Sequence, residues 1–230
     1  MIKKNSSEAT AGFLDRLTIR LKLLILSGFL LLALLATNAY SSLITYSVYD
    51  VVLETQKNIT EMKAKGDEVK ASLDKQDAVD NKVSITRNAV YQFNMLRYWI
   101  TDLSASWLNE SETSAGESKK QLFETLKKMA EFAPEEAKKI EPLANSFSDI
   151  SLKAVDAFVD GNRVKANALL SDARKASLEI EAILNSVLKK QEAEASEAND
   201  KATAATQSST DYAVKINASM EASIASSILN

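Results

Sequence analysis

Neither cysteine nor histidine occurs among the 230 residues. Together these absences remove disulfides, thiol nucleophiles and imidazole bases, and with them zinc, haem and Ser-His-Asp sites. Glycine and proline are scarce as well, at five and two, which leaves few places for tight turns. No run of alternating β-branched residues marks a strand. Charge of neither sign dominates, with 28 Lys and Arg against 31 Asp and Glu, so nothing in the balance points to nucleic acid as a partner. With no nucleophile–base pair and no metal-ligand cluster to assemble, the chain is expected not to be an enzyme and to use no cofactor or metal.

What is present is Ala, Leu, Lys, Glu and Ser, the composition of long helices. The expected fold class is all-α. The chain is organised around residues 23–49, which carry no charge between Lys22 and Asp50. A helix needs only about 20 apolar residues to cross the hydrocarbon core, so this stretch reads as a membrane span. The alternatives are a cleaved signal peptide, whose apolar region runs about 7–15 residues and ends at a small-x-small site, and a buried soluble helix. The run is too long for the first, Thr37-Asn38-Ala39 is a poor cleavage site, and a long polar segment precedes it. Lys3, Lys4, Arg16, Arg20 and Lys22 lie before the span and Asp50 and Glu54 after it, which by the positive-inside rule places the N-terminus in the cytoplasm. The main domain is therefore expected outside, across the membrane from the N-terminus. Tyr40, Tyr46 and Tyr49 fall near the outer interface, where a ring with a polar tip is well solvated.

The expected segments are a cytoplasmic N-terminus (1–22), a transmembrane helix (23–43), an extracytoplasmic helical domain (44–222) and the start of a possible second span (223–230). Beyond the membrane a three-four alternation runs through Val48, Val52, Thr55, Ile59, Met62, Gly66, Val69, Leu73, Gln76, Asp80 and Val83. This is a diluted coiled-coil seam, weakened by Gly66, Gln76 and Asp80. From residue 84 the stripe shifts to Ala89, Phe93, Leu96, Ile100, Leu103 and Trp107, a bulkier core face in which Trp107 is expected to be buried. Residues 109–117 read as a loop, followed by a helix over about 119–132 carrying Leu122, Leu126 and Met129. Pro134 and Pro142 each suit the first turn of a helix, and a helix over about 142–160 presents Leu143, Phe147, Ile150, Ala154, Ala157 and Phe158. Gly161 then suits a left-handed cap.

From Arg163 onward there is neither proline nor glycine, so one helix of roughly 100 Å follows at 1.5 Å per residue. Its first half offers Leu169, Leu170, Ala173, Ile180, Ile183, Leu184, Val187 and Leu188. After Gln191 the seam becomes Ala195, Ala198, Ala202, Ala205, Ser209, Tyr212, Ile216 and Ser219, still at three-four spacing but built of small residues. A first helix over about 42–109 and this last one match in reach, so they can run as an antiparallel hairpin from one membrane face. The two shorter helices complete an up-down four-helix bundle over 84–190, on a stalk formed by 44–83 and 191–222. An Ala/Ser seam buries little between two helices, and pairing two chains would cover it, so a parallel homodimer is expected.

The layout resembles the sensory half of bacterial methyl-accepting chemotaxis proteins. The residues carrying the likeness are Arg20-Leu21-Lys22-Leu23 leading into the span, the bundle from Val83, and the Asp160-Gly161-Asn162 turn followed by Val164, Ala168, Leu169 and Leu170. The resemblance implies ligand sensing outside the cell, passed by a small displacement of the return helix to a HAMP linker and a kinase-controlling cytoplasmic hairpin. Neither occurs in this sequence, so the chain is expected to be a fragment or a truncated product. Sensor histidine kinases share the layout, and a structural coiled coil without ligand is the alternative from another class.

For a ligand, Arg87, Tyr91, Asn94 and Tyr98 recur at four-three-four spacing on one helical face, with Arg97 beside it and Trp99 near the core edge. Guanidinium, phenol and amide together suit a small carboxylate or another planar anion. The competing reading has the arginines pairing with acids on the neighbouring helix and the tyrosines supplying area. The expected partners are thus the membrane, a second copy, and a small-molecule ligand or a partner binding protein. Asn58-Ile59-Thr60, Asn109-Glu110-Ser111 and Asn217-Ala218-Ser219 fit the glycosylation pattern, as a chain rich in these residues does by chance.

Overall fold

A computed structural model describes residues 18–229, with side chains described through residue 226. The chain is all-α. Four helices follow in order: α1 (Ile19–Ser106), α2 (Asn109–Met129), α3 (Pro134–Val159) and α4 (Arg163–Leu229). Among the described residues there is no strand. The chain divides into two compact units, one reaching through Lys63 and resuming at Tyr212, the other Ala64–Asp211. Lys3, Lys4 and Arg16, read as part of a cytoplasmic N-terminus, lie outside the described residues.

The Ala64–Asp211 unit is an up-down four-helix bundle. Phe93 of α1 meets Phe147 of α3 edge to face at 5.6 Å between ring centres, and Asn88 of α1 donates to the Thr125 hydroxyl of α2 at 3.1 Å. Around these, Leu96, Leu122, Met129, Ile140, Ile180 and Leu184 are almost wholly shielded from solvent. Each repeats at three-four spacing along its helix, which turns one stripe per helix toward a common core. The contacts between α1 and α4 fix their direction. Lys65 pairs with Ser208 at 2.9 Å, Gln76 with Asn199 at 3.3 Å, and Arg87 with Glu192 at 2.8 Å, so numbers rise on one helix as they fall on the other.

Two boundaries and one burial differ from the sequence expectation. Residues 109–117 are the first turns of α2, not a loop. Ser111, Ala115 and Ser118 are buried there, and their small side chains let α2 approach without a large apolar stripe to announce it. The break before α3 lies at residues 130–133, and Pro142 sits inside α3 rather than at a helix start. Pro142 and Lys138 both face solvent, so the carbonyl that loses its partner four residues back lies on the open side of the helix, where the loss costs least. Finally, Trp107 is not core. It stands in the α1–α2 turn with φ 57° and is 61% exposed.

The α3–α4 turn follows the sequence reading. Gly161 takes φ 75°. The Asn162 N–H donates to the Ala157 carbonyl at 2.8 Å and the Gly161 N–H to the Phe158 carbonyl at 3.0 Å, a Schellman closure. Asn162 then caps α4 by accepting from the Lys165 N–H at 3.1 Å.

In the other unit, α1 from residue 19 to 50 is exposed throughout and is long and apolar enough to cross a membrane. Its polar side chains bond inward to their own helix: Ser27 donates to the Leu24 carbonyl at 3.0 Å and Thr37 to the Ala33 carbonyl at 2.9 Å. That satisfies the hydroxyls without water, as a hydrocarbon environment requires. Nearer residue 60, Ser219 of α4 donates to Glu54 of α1 at 3.2 Å, and the Tyr212 hydroxyl donates to Glu61 in a short bond.

Candidate functional site

Arg87, Tyr91, Asn94 and Tyr98 share one exposed face of α1, set by their spacing along a continuous helix. Tyr91 and Tyr98 are 57% and 56% exposed. Behind them, Trp99 packs against the bundle core and meets Tyr98 edge to face at 5.0 Å, which braces the Tyr98 ring from one side. Both arginines already hold acids of α4, Arg87 with Glu192 and Arg97 with Glu181. The Arg97 guanidinium also lies 5.9 Å from the centre of the Phe93 ring, near enough for a cation–π attraction.

The face is therefore open surface with its two cations engaged. A carboxylate ligand would have to displace Glu192 or Glu181 from its arginine, and this exchange is isoelectric. The Arg87 pair is well exposed on both sides, so breaking it costs little, since exposed pairs contribute only about 0–1 kcal/mol.

Three features went unread in the sequence. The first is the brace of the α1–α2 turn, where the Asp102 carboxylate accepts from Ser111 at 2.5 Å and from Ser106 at 3.3 Å. The second is Gln191, only 3% exposed, whose side-chain oxygen has no hydrogen-bond partner. A signal for it existed: Ile180, Leu184, Val187 and Gln191 form one three-four row, with a polar residue in an apolar position. The third is a groove of about 760 Å³ beside α1, lined by Tyr40, Ile44, Ser47, Val51 and Glu54 with Ser223 and Ser226 of α4. It arises because two serines face larger side chains.

The small-residue seam of α4 is where it was expected from Ala195 to Ile216, whereas Ser219, its last expected member, is exposed. Ala198, Ala202 and Ile216 are buried, and Ala195, Ala205, Ser209 and Tyr212 half-buried. Along α1 the buried line is Val51, Thr55, Asn58, Lys65, Val69, Ser72, Gln76, Val79 and Val83, partly or wholly covered. It shares Thr55, Val69, Gln76 and Val83 with the expected seam but leaves Val52, Ile59 and Leu73 exposed. Hydrogen bonding to Glu61, with some desolvation, pushes the Tyr212 phenol up to about 12. Among the described residues no group of three or more acidic side chains is placed to hold a metal ion. Set against protein-family models, curated proteins and solved structures, the chain matches none of them.

Proposed function

We propose that the chain is the membrane-anchored sensing region of a transmembrane receptor of the chemoreceptor kind, with its N-terminus cytoplasmic and the bundle outside the inner membrane. The ligand is a small carboxylate or another planar anion, taken on the α1 face of Arg87, Tyr91, Asn94, Arg97 and Tyr98. The observation that carries this reading is the α1–α4 pairing, in which polar rungs flank an α4 seam of alanine and serine. Small side chains interlock weakly, so α4 can shift along α1 at little cost in packing.

The proposed receptor is a parallel homodimer. Its support is the exposed Val52, Ile59 and Leu73 line on α1, an apolar row that α4 of the same chain leaves uncovered. A second copy laid along α1 would cover it and give the open ligand face a second wall.

The test is a thermal-shift screen of the chain in nanodiscs against amino acids, organic acids and inorganic anions. A ligand at 100 times its Kd should stabilise the chain by about 2.7 kcal/mol, and Arg87→Ala with Tyr91→Ala should remove the shift. If no member of the panel moves the melting temperature, a ligand-free structural coiled coil is the better reading. Because the chain lacks cysteine, single cysteines at Val52 or Ile59 report the dimer directly by crosslinking in the membrane.

A further inference from the structure

The groove beside α1 has a direction. Its volume of about 760 Å³ lies within the roughly 300–1,000 Å³ of ordinary ligand sites. At one end Tyr40, Leu43 and Ile44 offer exposed apolar surface, and at the other stand Asp50 and Glu54 of α1 with Ser223 of α4. At 1.5 Å per residue α1 rises about 42 Å from Lys22 to Asp50, which matches a bilayer with its headgroups, about 40–45 Å thick. With Lys22 at the inner surface, Tyr40 to Ile44 lie in the outer hydrocarbon and Asp50 among the outer headgroups. The groove thus runs from apolar to acidic in the same sense as an outer-leaflet lipid runs from tail to head.

Its charge is one-sided. Along α1 no cation stands between Lys22 and Lys57, and residues 216–230 have none. Among the described residues Asp50 holds no ion pair and Glu54 accepts only from Ser219. The hydroxyls are distinctive as well. Ser27, Thr37, Ser42 and Thr45 turn theirs back onto their own helix, whereas Ser47 and Ser223, which line the groove, make no such bond.

We propose that the groove holds one outer-leaflet phospholipid by a primary ammonium headgroup, that of phosphatidylethanolamine, seated on Asp50 and Glu54 with an acyl chain along Tyr40, Leu43 and Ile44. The inference rests on the span and orientation proposed above. Charge complementarity selects the occupant. Two carboxylates without a cation repel an anionic glycerol headgroup, whereas a primary ammonium brings them three N–H donors. A choline headgroup has no N–H and is favoured by an aromatic cage. Among the described lining residues Tyr40 is the one aromatic, and it stands at the apolar end. The Ser47 and Ser223 hydroxyls supply donors for the lipid phosphate.

The experiment takes the full chain from bilayers of equal parts ethanolamine, choline and glycerol phospholipids with matched acyl chains into mild detergent, and identifies the retained lipid by native mass spectrometry. We expect one ethanolamine lipid per chain, kept about 10-fold or more over each of the others. Asp50→Asn with Glu54→Gln should abolish the preference while melting with the parent. Glu221→Gln, which removes an exposed acid outside the groove lining, should keep it. Water-soluble glycerophosphoethanolamine, which has no tail, should not displace the lipid. The proposal is overturned by equal retention of the three lipids, by a preference for the glycerol or choline headgroup, or by a second copy retained in place of lipid. It is overturned equally by displacement with the soluble headgroup, by a preference that the double variant keeps, or by one that Glu221→Gln also loses. Alkaline extraction separates the two ideas: a chain that stays in the membrane without an ethanolamine preference sinks the lipid site and leaves the span standing, while a chain that alkali releases sinks both.

Discussion

Gln191→Leu offers the sharpest test of how the bundle is held. Gln191 is 3% exposed and its side-chain oxygen is buried without a partner. The next residue, Glu192, pairs with Arg87, which places Gln191 near the level of Thr86. Thr86 is fully buried and gives its only hydroxyl proton to the Lys82 carbonyl at 2.9 Å, so it has none for the amide. An unsatisfied buried acceptor costs about 1–3 kcal/mol. Leucine is close in volume and continues the Ile180, Leu184, Val187 row, so the substitution removes that penalty without opening a cavity. We expect a gain of about 1–2 kcal/mol, which is several degrees in melting temperature at roughly 2–4 °C per kcal/mol for a domain of this size. The assay is circular dichroism at 222 nm on the chain in nanodiscs. Gln191→Ala serves as control, because it leaves a void and should melt well below the leucine variant. A Gln191→Leu chain that melts below the parent would refute the reasoning, since the amide would then be satisfied and contributing, for instance through an enclosed water.

Four further outcomes follow from the same geometry. Phe93→Ala empties a position that is 1% exposed and loses the edge-to-face contact with Phe147, so chemical denaturation should show a loss of about 3–5 kcal/mol. Ala202→Leu forces three carbons into a seam position that is 3% exposed. It should destabilise by about 1–3 kcal/mol, with Ala205→Leu milder because that site is half-buried. Trp107→Gly trades a left-handed penalty of about 1–2 kcal/mol against the extra freedom of glycine, about 0.5–1 kcal/mol, so equilibrium unfolding should show a small gain. For Tyr212, the folded phenol is raised above the ordinary 10.0 to about 12. The Glu61 bond therefore contributes fully below pH 10 and is lost as pH rises through 12. Ultraviolet titration of the folded chain should show a late-ionising tyrosine that Tyr212→Phe deletes.

How legible this was in the sequence depended on how large the decisive side chains are. The α4 seam could be read because Ala198, Ala202 and Ile216 keep the three-four spacing without interruption, and spacing is what burial selects. The Gly161 turn could be read because a left-handed cap at a helix end favours one residue type. The start of α2 could not be read: Ser111, Ala115 and Ser118 are buried, yet serine and glycine among acids look like a loop to any pattern that looks for large apolar residues. Trp107 failed for the opposite reason. Its size argued for the core, whereas the chain must reverse at residues 107–108 and the reversal turns its side chain outward. The ligand face was legible in its spacing alone, because whether Arg87 and Arg97 meet a ligand or Glu192 and Glu181 depends on a helix more than 80 residues away in sequence.

The offset between the expected and the observed α1 seam bears on function more than any single misread boundary. The apolar positions on α1 form a band wider than one helix can cover. Thr55, Val69, Gln76 and Val83 lie on the side that α4 occupies, and Val52, Ile59 and Leu73 lie beyond it. A helix that served only the hairpin would need no second row, and leaving apolar side chains in water forgoes about 25 cal/mol for each Å² that burial would remove. The α4 seam, in contrast, is built of alanine and is already covered. If α1 packs against a second copy through its outer row and against its own α4 through the inner one, the branched residues hold the copies together while the alanine seam lets α4 move. Under the receptor reading proposed above, enlarging the alanines should then stop signalling without dissociating the dimer, and making Ile59 polar should dissociate the dimer without stiffening the seam.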